Sequence, residues 1–190
     1  MKTIALVAES GAGKGLFIEV LKKLYPHLRI EVIRFSDILR DILNILGKEK
    51  SRYNIDTLVT ALREAFRDDG ILNHAMAGRL KTCKADIVVL DGLRKIKEIP
   101  LVRDCEGILV FITADKRIRY ERRRKSPEKP DEMDMSWEQF VEQSNADPQR
   151  EIRTIGETMA DVTLENNGSA QDFERRIKEF VNIHHLGEMS

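Results

Sequence analysis

The stretch IALVA-ESGAGKG-LFIEVLKKL, residues 4–24, decides how the chain is read. Ile4 to Ala8 is a short apolar run, as in a buried strand. Leu16 to Leu24 repeats its apolar residues at helical spacing. Between them, Glu9 to Gly15 is rich in glycine. Strand, glycine-rich loop and helix in that order form the context in which a phosphate-binding loop works. Glycines let backbone N–H groups turn inward around phosphate oxygens, and the helix start adds unpaired N–H groups and the positive end of its dipole. Ser10, Gly11, Ala12, Gly13, Lys14, Gly15 and Leu16 are therefore the expected nucleotide-binding segment, with Lys14 reaching the β and γ phosphates.

Two positions depart from the pattern G-x-x-x-x-G-K-[ST]. Ala8 stands where the first glycine belongs, a mild change because Gly11 and Gly13 remain. Gly15 stands where a serine or threonine hydroxyl would hold Mg²⁺, and Leu16 does not replace it.

Composition narrows the class. A chain of 190 residues is long enough for one domain with a sizeable core. Its 32 basic and 32 acidic residues balance, which removes the electrostatic argument for general nucleic-acid binding. Cys83 and Cys105 lack metal-ligand spacing and read as reduced thiols. The apolar run after Met1 and Lys2 is too short for a signal peptide or a membrane span, so a cytoplasmic enzyme without membrane contact is expected. Monomer and homodimer both remain open.

Further strand-like runs alternate with helical patterns. Residues 28–35 (LRIEVIRF) read as a second strand. Ser36 is placed to cap a helix over 37–46 that stops at Gly47. Helices are expected over 55–69 and 71–81. The continuous apolar run 87–90 and the run 107–115 read as strands covered on both faces. A basic helix spans 116–125, and 126–134, holding two prolines, reads as a loop. Helices from 136 and around 148–159, a last strand over 160–166 and a closing helix over 170–183 complete the chain. This alternation predicts an α/β fold of three layers, with a parallel sheet of about five strands and right-handed crossovers.

Ligands in such sheets bind at the carboxyl ends of the strands. That rule gathers the loop 9–15 after the first strand, residues 35–40 with Asp37 and Arg40 after the second, residues 91–94 with Asp91 and Arg94 after the third, the region after Thr113 with Arg119 and Arg122, and Asn166, Asn167 and Gly168 after the last. Asp91 is the candidate metal residue, since a carboxylate there holds Mg²⁺ directly or through water. Guanidiniums bind phosphate through two parallel hydrogen bonds, so Arg40 and Arg94 suggest a second anion site. Arg119 and Arg122 stand i, i+3 on the basic helix and are candidates to close over a transferring phosphoryl group.

Together these residues resemble the nucleoside monophosphate kinase group of P-loop NTPase proteins. SGAGKG resembles the adenylate-kinase loop. FSDILR, residues 35–40, looks like that group's T-G-D-x-L-R segment, whose arginine binds the acceptor phosphate. DGLR, residues 91–94, looks like its D-G-x-P-R segment with the proline missing. The ending ADVTLENNGS is more like dephospho-coenzyme A kinases and phage-type deoxynucleoside monophosphate kinases, in which the last turn lies near adenine. The resemblance implies a single kinase domain over 1–190, a helical acceptor-binding insertion over 48–84 and a short lid over 116–135. Within the insertion, Arg52, Tyr53 and Arg79 are groups that could touch an acceptor.

The expected activity is an ATP-dependent, Mg²⁺-assisted transfer of a γ-phosphoryl group to a small phosphorylated acceptor, foremost a (deoxy)nucleoside monophosphate. A hydroxyl kinase like dephospho-coenzyme A kinase, with Asp37 as the base, is the alternative. A nucleotide-binding regulator or ATPase without a small acceptor is a third.

Overall fold

The computed structural model describes residues 1–125 and 135–187. Its centre is a sheet of five parallel strands in the order β2-β3-β1-β4-β5. These are β1 (Lys2–Ala8), β2 (Ile30–Arg34), β3 (Ile87–Asp91), β4 (Ile108–Thr113) and β5 (Val162–Glu165). β3 is buried along its whole length and β1 along its middle, as expected of strands covered on both faces.

Alternation along the strands divides the core in two. Ile4, Leu6, Ile87, Val89, Val110 and Ile112 face α1 (Lys14–Leu24) and α9 (Ala170–Ile183). Ala5, Val7, Val88, Leu90, Leu109 and Phe111 face the other layer. That layer is built from α2 (Phe35–Ile45), α3 (Arg52–Phe66), α4 (Ile71–Thr82), α5 (Ile99–Asp104) and α8 (Asp147–Met159). A third apolar cluster joins α6 (Lys116–Lys125) to α7 (Trp137–Asn145) through Tyr120, Met135, Trp137 and Phe140. The Tyr120 hydroxyl donates to the Met135 carbonyl at 3.1 Å, tying the chain on either side of 126–134 together.

The three layers and the parallel sheet of five strands agree with the sequence reading. Three local expectations change. Ser36 does not cap α2, because the helix starts two residues earlier than expected, at Phe35, straight out of β2. Asp37 supplies the cap instead, its carboxylate accepting the Arg34 backbone N–H at 3.0 Å. α3 begins at Arg52, with the Ser51 hydroxyl accepting from the Asn54 N–H. The short helix α5, entered through a 3-10 turn at Ile96–Glu98, carries too few residues to declare a period. No described helix is long and apolar enough to cross a membrane.

Register aligns the site. Arg34 and Leu6 both pair with Asp91, and Thr113 pairs with Glu165, so the ends of the strands form one rim. β1 lies in the middle with later strands on both sides, and the crevice at its carboxyl end is where such sheets take ligands. α8 approaches this sheet closely: a Cβ on Gly156 would fall onto the ring of Phe111. Gly156→Ala should therefore destabilise the protein by about 1–3 kcal/mol, despite the better helix propensity of alanine, and lower the midpoint in thermal unfolding.

Candidate active site

The loop after β1 takes the shape that its glycines permit. Gly11 has φ +80° and Gly13 φ +106°, both in the left-handed region. Each also lacks room for a side chain. A Cβ on Gly11 would stand 2.6 Å from the Arg119 carbonyl, and one on Gly13 would meet the Asn166 amide. No side chain caps α1, so its first N–H groups stay available to an anion, with Lys14 as its first residue.

Beneath the loop lies a buried ionic node. Glu9 is only 6% exposed. Its carboxylate accepts from the Thr113 hydroxyl at 3.0 Å, pairs with Arg119 at 3.0 Å and faces Arg153 Nε at 3.5 Å. The buried Arg119 guanidinium also donates to the carbonyls of Ala114 at 2.9 Å and Ser10 at 3.3 Å. Burial lowers the Arg119 pKa and the Glu9 charge opposes that shift. Arg153, from α8, also donates to the Ser144 carbonyl at the end of α7. Arg119 is thus held under the loop and does not stand over the crevice, which corrects its expected place in a closing lid.

Arg122 is also engaged. It donates to the carbonyl and side-chain oxygens of Asn166 at 2.8 and 3.2 Å, and to the Gly168 carbonyl at 3.4 Å. Asn166, 2% exposed, donates from its side chain to the Ala12 carbonyl at 2.9 Å. Asn167 accepts the Asp115 backbone N–H at 2.7 Å. The turn after β5 therefore braces the phosphate loop and the start of α6. Arg117 lies 5.1 Å from the Trp137 ring centre and 5.5 Å from that of Tyr120. Residues 126–134, the centre of the expected lid, lie outside the described residues.

On the rim, Asp91 is 3% exposed and carries two cations. Lys14 Nζ closes on Oδ1, and Arg34 Nε donates to Oδ2 at 2.8 Å. Next to it Gly92 has φ +86°, with the space of its missing Cβ 3.9 Å from Lys14 Nζ. The DGLR segment therefore borders the loop lysine even without its proline. Three side chains hold the residues that follow. Glu98 accepts the N–H groups of Arg94 and Lys95 at 2.8 and 3.1 Å. Glu151 takes the Ile96 N–H at 2.9 Å and the Lys95 ammonium at 2.7 Å. Asn73 donates to the Lys97 carbonyl at 2.6 Å.

Arg40 and Arg94 are exposed, and neither side chain has an anionic partner among the described residues. Arg40 lies about 8 Å along α2 from its start at the rim, and shares a helix face with Asp37. In the insertion, Arg79 is occupied by Asp41 at 3.1 Å, while Tyr53 projects into solvent.

The donor set fits only one kind of metal site. Among the described residues no three carboxylate, histidine or cysteine groups cluster as a metal cage. Gly15 brings no hydroxyl and Glu9 is saturated from below. The residues present suit a Mg²⁺ ion carried by nucleotide phosphates and water, with Asp91 as the one carboxylate beside it.

Sequence reasoning placed Glu9 and Asn166 on the ligand edge without a role and missed Arg34 and Arg153. Arg34 could have been flagged as a cation ending a strand. The partners of the others are distant in sequence, so no local signal gives their contacts.

No model of a known protein family matches the chain. The UPF0200 protein of Saccharolobus solfataricus is 29% identical over 184 residues, covering 94% of this chain and 92% of its own length. The UPF0200/UPF0201 protein of Archaeoglobus fulgidus is 28% identical over 185 residues, and this chain spans only 55% of its length. Among solved structures, TT1252 from Thermus thermophilus superimposes with a TM-score of 0.60 at 17% identity, covering 96% of this chain and 97% of its own. Shikimate kinase from Acinetobacter baumannii in complex with shikimate gives 0.53 at 17%, covering 98% and 96%. A gluconokinase from Sinorhizobium meliloti gives 0.55 at 14%, covering 99% and 98%. At these identities the likeness shows the fold alone, a five-stranded parallel sheet between two layers of helices that this chain shares with the shikimate kinase and the gluconokinase.

Two tests address the supports of the rim. Arg119→Ala leaves a buried carboxylate short of its nearest cation and should cost about 3–5 kcal/mol in denaturant unfolding. Burial pushes the Glu98 carboxyl above its ordinary value of 4.5, against the pull of the two backbone N–H groups. The folded chain then holds this proton longer than the unfolded chain, so stability falls as pH rises from the ordinary value through the raised one. Glu98→Gln should remove that loss. Its urea midpoint relative to wild type should therefore rise as the pH is raised from the ordinary carboxylate value of 4.5.

Proposed function

We propose that the protein is an ATP-dependent phosphotransferase acting on a small phosphorylated acceptor, most naturally a (deoxy)nucleoside monophosphate. One observation supports this reading: Lys14 meets Asp91 at the rim, Arg94 follows three residues later, and Arg40 stands on the helix that starts there, both guanidiniums exposed and without an anionic partner among the described residues. An acceptor phosphate would satisfy them. Helices α3 and α4, within 48–84, would form the acceptor side.

In this reading the loop N–H groups and Lys14 bind the β and γ phosphates, with Lys14 leaving Asp91 for the nucleotide. Arg40 and Arg94 set an acceptor oxygen in line with the γ phosphorus. The bond from that phosphorus to the β–γ bridging oxygen breaks, a bond to the acceptor oxygen forms, and ADP leaves. A phosphate monoester is largely ionised near neutral pH, so no base is required. Positioning and fixed positive charge carry the catalysis. Bound Mg²⁺ would neutralise phosphate charge beside Asp91.

A hydroxyl acceptor is the second reading, favoured by the position of Asp37 in the first turn of α2 and by two structural neighbours, a shikimate kinase and a gluconokinase. Asp37 would then take the hydroxyl proton. Its carboxylate already accepts the Arg34 backbone N–H at 3.0 Å, so a substrate hydroxyl would have to share that oxygen or take the other one.

The deciding experiment measures ADP release against a panel of nucleoside and deoxynucleoside monophosphates, dephospho-coenzyme A, shikimate and gluconate. A monophosphate should stimulate release, and Arg40→Ala should cut kcat/KM for it by roughly 10²-fold. Stimulation only by a hydroxyl acceptor, abolished by Asp37→Asn, would replace this reading with the second. Acceptor-independent hydrolysis that ignores Arg40→Ala would mark a regulator or ATPase.

A further inference from the structure

Arg34 ends β2 and was reached by no motif. Its partner Asp91 lies across the register of the sheet, and both side chains stand on the face that carries α1 and the phosphate loop. The Arg34 side chain is about half exposed, 52%, and only its Nε is used, on Asp91 Oδ2. No described group accepts from its terminal nitrogens. Lys14 and Arg34 give the Asp91 carboxylate two positive charges against its one negative charge.

A divalent cation approaching that carboxylate meets a guanidinium already in place. The loop offers it no second ligand, since Gly15 has no hydroxyl. Space is not the reason: a Cβ on Gly15 would have nothing within 4 Å. Two independent features thus weaken the protein's hold on a metal, and one of them supplies a fixed cation where the metal's charge would be needed.

We infer that Arg34 is a resident counter-cation of the phosphoryl-transfer centre, taking over part of the charge neutralisation that phosphate loops assign to a protein-held divalent ion. Resting on the nucleotide-binding reading above, this makes nucleotide affinity only weakly dependent on Mg²⁺ for as long as Arg34 is present. When Lys14 moves to the phosphates, Arg34 stays on Asp91. Its free N–H groups then face the incoming negative charge. Arginine suits this task because it is charged at every working pH and its planar fork donates to two anions at once.

The test is calorimetric binding of a non-hydrolysable ATP analogue, with Mg²⁺ and in EDTA, and needs no turnover. For the wild type, EDTA should weaken binding by less than about tenfold. For Arg34→Ala the same change should exceed about 100-fold, while binding with Mg²⁺ stays within about threefold of wild type. Arg34→Lys, which keeps the charge, should fall between them. Gly15→Ser, which fits the open space and restores the hydroxyl, should widen the EDTA effect in the Arg34→Ala background by tightening the Mg²⁺ form. Thermal unfolding of each variant confirms the fold. Wild-type binding that collapses in EDTA as much as that of Arg34→Ala overturns the inference and leaves the phosphotransferase reading intact. No binding under either condition overturns both.

Discussion

The contact between Glu9 and Arg119 holds the working end of this protein together. A carboxylate inside a phosphate loop is an unfavourable choice, because its charge repels phosphate and is costly to bury. Here it points down, away from the crevice, into Arg119, Arg153 and Thr113. Those three residues come from α6, α8 and the end of β4. One buried charge thereby fixes the loop to the sheet and to the helices on either side of residues 126–134. The Arg119 backbone carbonyl stands so close to the loop that Gly11 can have no side chain there.

Charge is arranged in two tiers around the loop. Below, Glu9 faces two guanidiniums; on the rim, Asp91 faces Lys14 and Arg34. Each carboxylate is matched by more positive charge than it carries. The surplus is directed to a place where an anion is expected, although the whole chain is electrically balanced at 32 basic and 32 acidic residues. Net charge is a poor guide to such a site because the field that a ligand feels is set by the nearest groups and by the low dielectric around them. The loop that follows β3 adds rigidity. Glu98, Glu151 and Asn73 hold its backbone from three directions, so Arg94 projects from a fixed base.

The basic helix α6 shows how one run of arginines divides its labour. Arg119 goes under the phosphate loop, Arg122 grips the turn after β5, and Arg117 lies over aromatic rings. These are structural contacts with distinct partners, made by residues within two turns of one helix. Spacing on the helix separates the faces but does not say which face meets the loop. Asn166, next to the expected Asn167, becomes the residue that touches the loop because alternation along β5 turns it inward.

By itself, the sequence determined the elements and their chemistry where the signal is local. An apolar run followed by GAGKG and a helical repeat defines a phosphate loop, since strand period, glycine and helix start all act within a few residues. The repeated strand and helix pattern likewise implied a parallel sheet with its ligand edge at Asp91. Only the tertiary structure decided which charges meet. Glu9 and Arg119 are 110 positions apart in the chain, and Arg34 and Asp91 are 57 apart. Their pairing follows from the strand order, which places β4 beside β1 and β3 beside β2. A charged residue's surroundings depend on what folds against it, and no local period encodes that.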